Sequence, residues 1–275
     1  MNTKKIGFIG GGNMASSLIN GLIASGHCPS QLWVSDTNPD TLQSLAETLK
    51  VNISADNDEL VENVDVVVLA VKPQIMRIVT EQIPRNLINK NQLFVSIAAG
   101  ISQQSLTEWL GDETAIVRCM PNTPALVLTG ATALHANTVV SDEQKDLAEN
   151  ILRSVGISLW VANENELDAV TAVSGSGPAY YFLLMEAMES AALELGLSES
   201  TARLLIQQTA LGAAKIALES DETPRELRHR VTSPKGTTEE AIKTFEKGDF
   251  SPLVSKALHA ARDRSIEMSK ELGEK

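Results

Sequence analysis

The chain has 275 residues, which allows one large domain or two ordinary ones, and 43% of them are hydrophobic, enough for a sizeable core. Its formal net charge of −12 argues against binding to nucleic acid or to an anionic membrane. Cys28 and Cys119 form no disulfide framework and no metal-ligand pattern, so we expect two buried, reduced thiols in a cytoplasmic protein. We expect neither a secretory leader nor a membrane span, because no apolar run is long enough.

Strand-like and helix-like segments alternate through the first 163 residues, which is typical of a doubly wound α/β domain. The predicted strands are 5–9, 31–35, 64–71, 93–97, 114–119, 131–135 and 158–161. The predicted helices between them are 12–25, 39–49, 73–83, 102–110 and 141–154. The unbroken apolar run at 66–70 indicates a strand that is buried on both faces of a parallel sheet.

The first strand ends at glycines, and an amphipathic helix pattern follows at once. Gly10, Gly12 and Ala15 spell Gly-x-Gly-x-x-Ala, and an acidic residue, Asp36, ends the second strand. In this motif the first glycine permits a tight turn, the second lets a pyrophosphate approach, and the small third residue lets helix and strand pack. The helix N-terminus adds free N–H groups. The pattern predicts a Rossmann-like dinucleotide-binding domain over residues 1–163.

Beyond residue 163 the pattern is helical, with predicted helices at 178–195, 199–218, 223–230, 238–246 and 251–271. The helix at 178–195 is apolar around most of its circumference, although Glu186, Glu189 and Glu194 argue against a membrane span. Such a helix must be covered on several sides, and the rest of the C-terminal segment is short for that task. We therefore expect residues 164–275 to form a helical domain that interlocks with a second copy in a homodimer; an ordinary intramolecular bundle is the alternative.

Two segments follow predicted strands at the sheet edge where open α/β folds bind ligands. These are 70–74, which contains Lys72 beside Pro73, and 96–100, whose small residues would let a flat ring approach. Lys72 can equally be a solvated surface lysine.

Three further loops are rich in proline, glycine or hydroxyl residues. Residues 118–125 carry two prolines around Asn122 and suit either a binding site or a plain connector. Residues 174–180 lead into the apolar helix, where Ser176 can act as a cap. Residues 231–240 place Thr237 and Glu240 at the spacing of a capping box, and the N–H groups near Gly236, Thr237 and Thr238 can hold a carboxylate.

The four histidines are scattered, and the sequence shows no metal-ligand cluster and no nucleophile–histidine arrangement. We therefore expect no metal site. A bound cofactor must then carry the chemistry, while the protein positions it.

Five motifs in the same order resemble those of the pyrroline-5-carboxylate reductase family, along nearly the whole chain. They are residues 7–15, 70–73, 120–124, 174–180 and 232–238. The last is the most specific, since it marks the family's substrate loop. The resemblance implies a Rossmann domain followed by a helical substrate-binding and dimerisation domain. It also implies reduction of 1-pyrroline-5-carboxylate to L-proline, the last step of proline biosynthesis. NADPH is the usual donor and NADH often serves, and family dimers commonly assemble into decamers.

Carried over by position, the family's site residues fall into two groups. The cofactor-binding group is Ile9, Gly10, Gly11, Gly12, Asn13, Met14, Asp36, Asn57, Ala70, Val71, Lys72, Pro73, Ile97, Ala98 and Ala99. The substrate-binding group is Glu164, Ser233, Gly236, Thr237 and Thr238, with Ser233 and Thr238 as the catalytic candidates. Lys235 stands where many relatives have glycine, so either the loop backbone differs or the position needs no positive φ.

The sequence is compatible with either a 2′-hydroxyl (NADH) or a 2′-phosphate (NADPH) on the cofactor's adenosine ribose. An acidic residue at the end of the second strand usually accepts from a ribose 2′-hydroxyl and repels a 2′-phosphate, so Asp36 favours NADH. Thr37 and Asn38 could instead donate to a phosphate if Asp36 points away.

Two rival functions remain. A 3-hydroxy-acid dehydrogenase has a similar layout, but it places a catalytic lysine shortly after a Gly-Ser-Gly-like stretch, and residues 178–184 contain none. A non-catalytic dinucleotide sensor is the other rival, and it gives no reason for a polar glycine loop at 232–238.

Overall fold

The computed structural model describes residues 4–273. Its eight strands are β1 (Ile6–Ile9), β2 (Leu32–Ser35), β3 (Asn52–Ser54), β4 (Val66–Leu69), β5 (Leu93–Ser96), β6 (Ala115–Met120), β7 (Gly130–Ala136) and β8 (Gly156–Trp160). Its twelve α-helices are α1 (Asn13–Ala24), α2 (Pro39–Leu49), α3 (Asn57–Asn63), α4 (Pro73–Gln82), α5 (Gln103–Leu110), α6 (Asp142–Arg153), α7 (Glu166–Val170), α8 (Gly177–Glu194), α9 (Glu199–Glu219), α10 (Pro224–Arg230), α11 (Thr237–Lys247) and α12 (Phe250–Gly273).

The chain divides into two compact units. The first unit comprises the residues up to Ser176 together with those from Ala260 onward, and the second unit is Gly177–His259. The predicted class, a doubly wound α/β domain followed by a helical domain, is confirmed. The sequence placed a domain boundary at residue 163, and that boundary remains a prediction.

The first unit is built on one eight-stranded sheet in the order β3-β2-β1-β4-β5-β6-β7-β8. All neighbouring strands are parallel except β6 and β7. The β4 strand is fully buried, as its apolar run predicted, because helices cover both faces of a parallel sheet. One buried cluster around Phe8 and Leu18 lies on one face, and a second around Phe94 and Trp109 lies on the other.

Several local predictions were incomplete or wrong. The short elements β3, α3 and α7 were not predicted. Cys119 is buried, but Cys28 is exposed, so the prediction of two buried thiols was wrong for Cys28. Ser176 does not cap α8. Its backbone is helical, with φ −85° and ψ −17°, because a π-helical turn at Thr171–Gly175 leads into α8 from α7.

The second unit is helical, and α8 and α9 expose much of their apolar surface. Phe182 and Leu183 on α8 are 64% and 66% exposed, and Leu204 and Leu211 on α9 are 66% and 62% exposed. So large an exposed apolar face marks an interaction site. No helix within residues 4–273 has the length and hydropathy needed to cross a bilayer.

One buried histidine gives the first unit a dependence on pH. His27 is 4% exposed, and neither ring nitrogen meets hydrogen-bond geometry with a partner. Burial lowers the pKa of His27 below 6.5, and the nearby Lys4 backbone opposes this effect only in part. The unfolded chain therefore takes up this proton before the folded chain does.

We expect the free energy of unfolding to be largest above pH 6.5 and to fall as the pH drops from there toward the folded pKa. The uptake of one proton can change the free energy of unfolding by at most about 1.4 kcal/mol per pH unit. Urea unfolding at a series of pH values measures this slope, and His27→Leu should flatten it. The exposed His229 is the matched control, and the interpretation is wrong if His229→Gln flattens the slope equally.

Candidate active site

The turn after β1 has the geometry of a pyrophosphate cradle. Gly10 has φ +101°, and a Cβ there would lie 2.8 Å from the Ala70 carbonyl oxygen, so only glycine fits. A Cβ on Gly12 would meet nothing within 4 Å, which leaves room for a ligand beside the backbone. Ala15 is 1% exposed and packs in the core beneath. The helix α1 starts at Asn13 with no side-chain cap, so its first N–H groups are available.

Asp36 is turned toward this cradle and braces it. Its Oδ2 accepts a hydrogen bond from the Gly11 N–H at 2.8 Å, and its Oδ1 accepts one from the Asn38 N–H at 2.8 Å. The alternative in which Thr37 and Asn38 donate to a phosphate required Asp36 to point away, and in this structure Asp36 does not. The Asp36 carboxylate still has unused lone pairs.

A cavity of about 460 Å³ lies along the cradle. Its lining residues are Gly11, Gly12, Asn13, Ser16, Asp36, Asp40, Thr41, Ser44 and Leu45. The sequence did not single out Asp40, Thr41 or Ser44. The signal was present, because these residues lie in the first turns of the helix that follows Asp36.

The other predicted cofactor residues collect at the same edge of the sheet. Ile9 pairs with Leu69, and Leu69 pairs with Ser96, so the segments that follow these residues emerge side by side. The Ala70 N–H donates to the Ile9 carbonyl at 2.9 Å, and the Ile97 N–H donates to Leu69 at 3.3 Å. Residues 70–73 and 97–99 therefore lie together at the carboxyl ends of the strands, where open α/β sheets bind ligands.

Two of these cofactor candidates have contrasting surroundings. Asn57 begins α3, and its Oδ1 accepts a hydrogen bond from the Ser35 hydroxyl at 2.7 Å, so it is held beside the end of β2. Lys72 precedes α4, is exposed, and has no ion-pair partner among residues 4–273. Lys72 can therefore face either solvent or a ligand.

Two other motifs join in the first unit. The Asn122 amide nitrogen donates to the Ser174 carbonyl at 3.1 Å, and its Oδ1 accepts from the Ala131 N–H at 2.9 Å. A Cβ on Gly175 would lie 2.3 Å from the Met120 methyl group, so this glycine allows a close approach. Asn122 therefore connects the 120–124 loop to the segment at Ser174 within the first unit.

Glu164 has structural partners that the sequence did not reveal. Its Oε1 accepts from the Arg118 guanidinium at 2.8 Å and from the Gln103 N–H at 2.7 Å. The Arg118 side chain is 6% exposed and that of Glu164 is 27% exposed. The carboxylate thus neutralises a buried cation and caps the start of α5. Nothing in the local sequence pairs these residues, which come from three distant segments.

The 232–238 loop lies in the second unit and begins α11. Lys235 has φ +59°, so the position does need a left-handed backbone, and the alternative that it does not is wrong. Gly236, rather than Thr237, is the N-cap, so the predicted capping box does not form. The Gly236 N–H donates to the Ser233 carbonyl at 3.0 Å and is not free, contrary to expectation. The open backbone donors at this helix start are therefore at Thr237, Thr238 and Glu239.

The carboxylate of Glu239 also belongs to this loop. It accepts from the Lys235 N–H at 2.8 Å and lies 3.2 Å from the Lys243 ammonium. The backbone bond to Lys235, followed by the bond to Lys243, lowers the pKa of Glu239. Glu239 therefore stays ionised and tightens the turn. Within the described part of the chain, no three His, Cys, Asp or Glu side chains are grouped to hold a metal ion.

The predicted residues thus form two local groups. Ile9–Met14, Asp36, Asn57, 70–73 and 97–99 share one edge of the first unit, while Ser233 and Gly236–Thr238 share one loop of the second. The first group can bind a dinucleotide, and the second can bind a small anion.

The chain is similar to known proteins along its length. A family model described as pyrroline-5-carboxylate reductase dimerisation matches residues 164–268, and one described as NADP oxidoreductase coenzyme F420-dependent matches residues 5–100. A pyrroline-5-carboxylate reductase of Pseudomonas aeruginosa is 52% identical over 274 residues, which is 100% of both chains. The chain belongs to the pyrroline-5-carboxylate reductase family.

Other relatives agree with this placement in the pyrroline-5-carboxylate reductase family. The Escherichia coli enzyme of that name is 40% identical over 97% of this chain and 99% of its own. A solved Coxiella burnetii pyrroline-5-carboxylate reductase has a TM-score of 0.92 at 47% identity, covering 98% and 99% of the two chains. A Plasmodium falciparum pyrroline carboxylate reductase with NADP bound has a TM-score of 0.87 at 31% identity, covering 98% and 99%. The chain is accordingly an NAD(P)-dependent oxidoreductase.

Proposed function

We propose that this protein reduces 1-pyrroline-5-carboxylate to L-proline with NAD(P)H, the last step of proline biosynthesis. The full-length identity of 52% to a named reductase carries the proposal. The glycine cradle and the 232–238 loop supply the two binding functions that this reaction needs. NADP in the Plasmodium falciparum relative keeps NADPH as a candidate donor beside NADH. A cytoplasmic location stays a prediction.

The chain's own residues bind and orient the reactants. The bound nicotinamide supplies the hydride. Residues 9–14 would hold the pyrophosphate through the free N–H groups of α1, and residues 70–73 with 97–99 would flank the nicotinamide. The substrate is a cyclic imine that carries a carboxylate and accepts hydride readily once its nitrogen is protonated. The protein therefore contributes mainly proximity and orientation.

The substrate loop divides its work between backbone and side chain. The Thr237 and Thr238 N–H groups at the start of α11 hold the carboxylate, and the Ser233 side chain lies in the same turn. The exposed Thr238 hydroxyl donates to or accepts from the ring nitrogen and orients it. Glu164 is assigned to the substrate by position only, since its carboxylate already serves Arg118 and Gln103.

Thr238→Ala is expected to lower kcat/KM for the imine by about 10- to 100-fold, the effect of losing one positioning hydrogen bond. Thr238→Ser should restore most of it. Thr244→Ala is the matched control, because Thr244 lies on the same helix and its hydroxyl bonds only to the Glu240 carbonyl. NAD(P)H oxidation on adding 1-pyrroline-5-carboxylate gives the rates, and nucleotide affinity should not change. If Thr238→Ala turns over normally, Thr238 has no part in the mechanism.

The assay also tests the rival functions, neither of which the relatives favour. A 3-hydroxy-acid dehydrogenase would reduce the oxidised nucleotide with a 3-hydroxy acid and ignore the imine. A dinucleotide sensor would bind nucleotide and turn over neither compound.

We also propose that the exposed faces of α8 and α9 meet in a homodimer. A dimerisation model matches residues 164–268, and those two helices expose large apolar side chains. Light scattering of the purified protein should give at least twice the mass of one chain. If dimers assemble into a decamer, it should give ten times the mass of one chain. Leu205 is 53% exposed, so Leu205→Glu should yield monomers if this face is the interface. A variant that remains fully dimeric would place the interface elsewhere.

A further inference from the structure

The cavity beside Asp36 shows how the protein treats the 2′ position of the cofactor's adenosine ribose. In a doubly wound fold, the residues that end the second strand contact this ribose. Here those residues are Asp36 and the start of α2, and both line the 460 Å³ cavity with Gly11 and Gly12.

The lining of the cavity is negatively charged. Asp36 and Asp40 line the cavity, and none of its described lining residues is a lysine or an arginine. A 2′-phosphate carries a charge of about −1.5 to −2 at neutral pH. It would therefore face two carboxylates with no cation to offset them. A 2′-hydroxyl is neutral and can donate to the Asp36 carboxylate.

Several backbone N–H groups beside the cavity already have acceptors within the protein. The Gly11 and Asn38 N–H groups are both taken by the Asp36 carboxylate. The Asp40 N–H is taken by the Asn38 side chain at 3.0 Å, and Pro39, which begins α2, has no N–H. Three backbone N–H groups beside the cavity are thus already used by the Asp36 and Asn38 side chains. The Thr41 and Ser44 hydroxyls in the cavity lining are neutral donors.

We infer that Asp36, Asp40 and the internally bonded loop between them make the protein prefer NADH over NADPH. The inference rests on the proposed function, whose donor it specifies. We expect kcat/KM for NADH to exceed that for NADPH by at least about tenfold, the effect of a single like-charge contact. The ratio should narrow as ionic strength rises, because salt screens the repulsion.

The variant Asp40→Arg tests the charge argument. It replaces a carboxylate by a cation that can pair with a phosphate, so the NADPH-to-NADH ratio of kcat/KM should rise at least about tenfold. Glu47→Arg is the matched control. It makes the same charge change on the same helix, but seven residues and roughly 10 Å further along, outside the cavity lining. Its ratio should change less than about twofold.

Direct binding provides a readout that does not depend on turnover. Calorimetry of the full-length protein should give a lower Kd for NAD⁺ than for NADP⁺, with the order reversed or levelled in Asp40→Arg. Equal or tighter binding of NADP⁺ to the unaltered protein, or equal or faster turnover of NADPH, overturns the inference and leaves the proposed reaction standing. NAD⁺ binding with the expected preference, but no oxidation of either nucleotide by the imine, overturns the reaction and supports the inference. Failure of both nucleotides to bind overturns both.

Discussion

Gly10→Ala is expected to lower the free energy of unfolding by at least about 2 kcal/mol and to abolish dinucleotide binding. The backbone at Gly10 has φ +101°, which costs a non-glycine residue about 1–3 kcal/mol. The added methyl group, in the turn that joins β1 to α1, would also stand 2.8 Å from the Ala70 carbonyl oxygen at the end of the neighbouring β4. Chemical denaturation measures the loss, and calorimetry with NAD⁺ and NADP⁺ measures binding.

Gly12→Ala separates the role of the ligand from that of the fold. Its Cβ would meet no atom within 4 Å, and the backbone φ of −71° suits alanine. The free energy of unfolding should therefore change by less than about 0.5 kcal/mol, while nucleotide affinity falls because the methyl group occupies the space of the pyrophosphate. If Gly12→Ala binds nucleotide normally, the cradle does not hold the pyrophosphate.

Arg118→Met is expected to destabilise the protein by about 2–3 kcal/mol. Removing one partner of a buried ion pair leaves an uncompensated charge and costs up to about 5 kcal/mol, but Glu164 is 27% exposed, so water reaches its carboxylate and reduces the penalty. Glu164→Gln should also destabilise, since it leaves the more buried guanidinium without its counter-charge. The double variant should lose at least about 1 kcal/mol less than the two single losses together. Full additivity would show that the pair is not coupled.

The same variants address the assignment of Glu164 to the substrate. A purely structural carboxylate leaves KM for the imine unchanged in Glu164→Gln under conditions where the variant is folded. A substrate contact raises KM in Glu164→Gln but not in Arg118→Met.

Elements with strong periodicity were predictable from sequence. The run at 66–70 contains β4, and the five helices predicted beyond residue 177 formed within two residues of their predicted bounds, whereas the short α7 was not predicted. The short β3 was missed because three residues, of which only one is apolar, are too few to show the period of a strand, and β3 exists only by pairing with β2. The strand at 131–135 was predicted and forms β7, but its antiparallel direction was not, since strand direction depends on the connection and not on composition.

The candidate site also has features that the sequence could predict and features that it could not. Gly10 and Gly12 were recognisable because the turn imposes residue types on the chain. The hydrogen bonds of Asp36 were not, because a carboxylate at that position can face either the ligand or its own loop. The 232–238 segment leads into α11, but its cap was misassigned, since Thr237 and Glu240 have the right spacing and the helix begins one residue earlier than that motif requires. Spacing alone cannot report which residue starts a helix.

The position of β1 has a consequence for how the chain folds as it is synthesised. Ile6 pairs with Leu32 on one side and with Val66 on the other, so the second edge of this strand is satisfied only by a partner roughly 60 residues later. At a synthesis rate of about 5–20 residues per second, the second edge of β1 stays unpaired for several seconds. A nascent chain stalled before β4 therefore presents an unpaired strand to its neighbours, and its fate depends on whatever covers that edge until Val66 arrives.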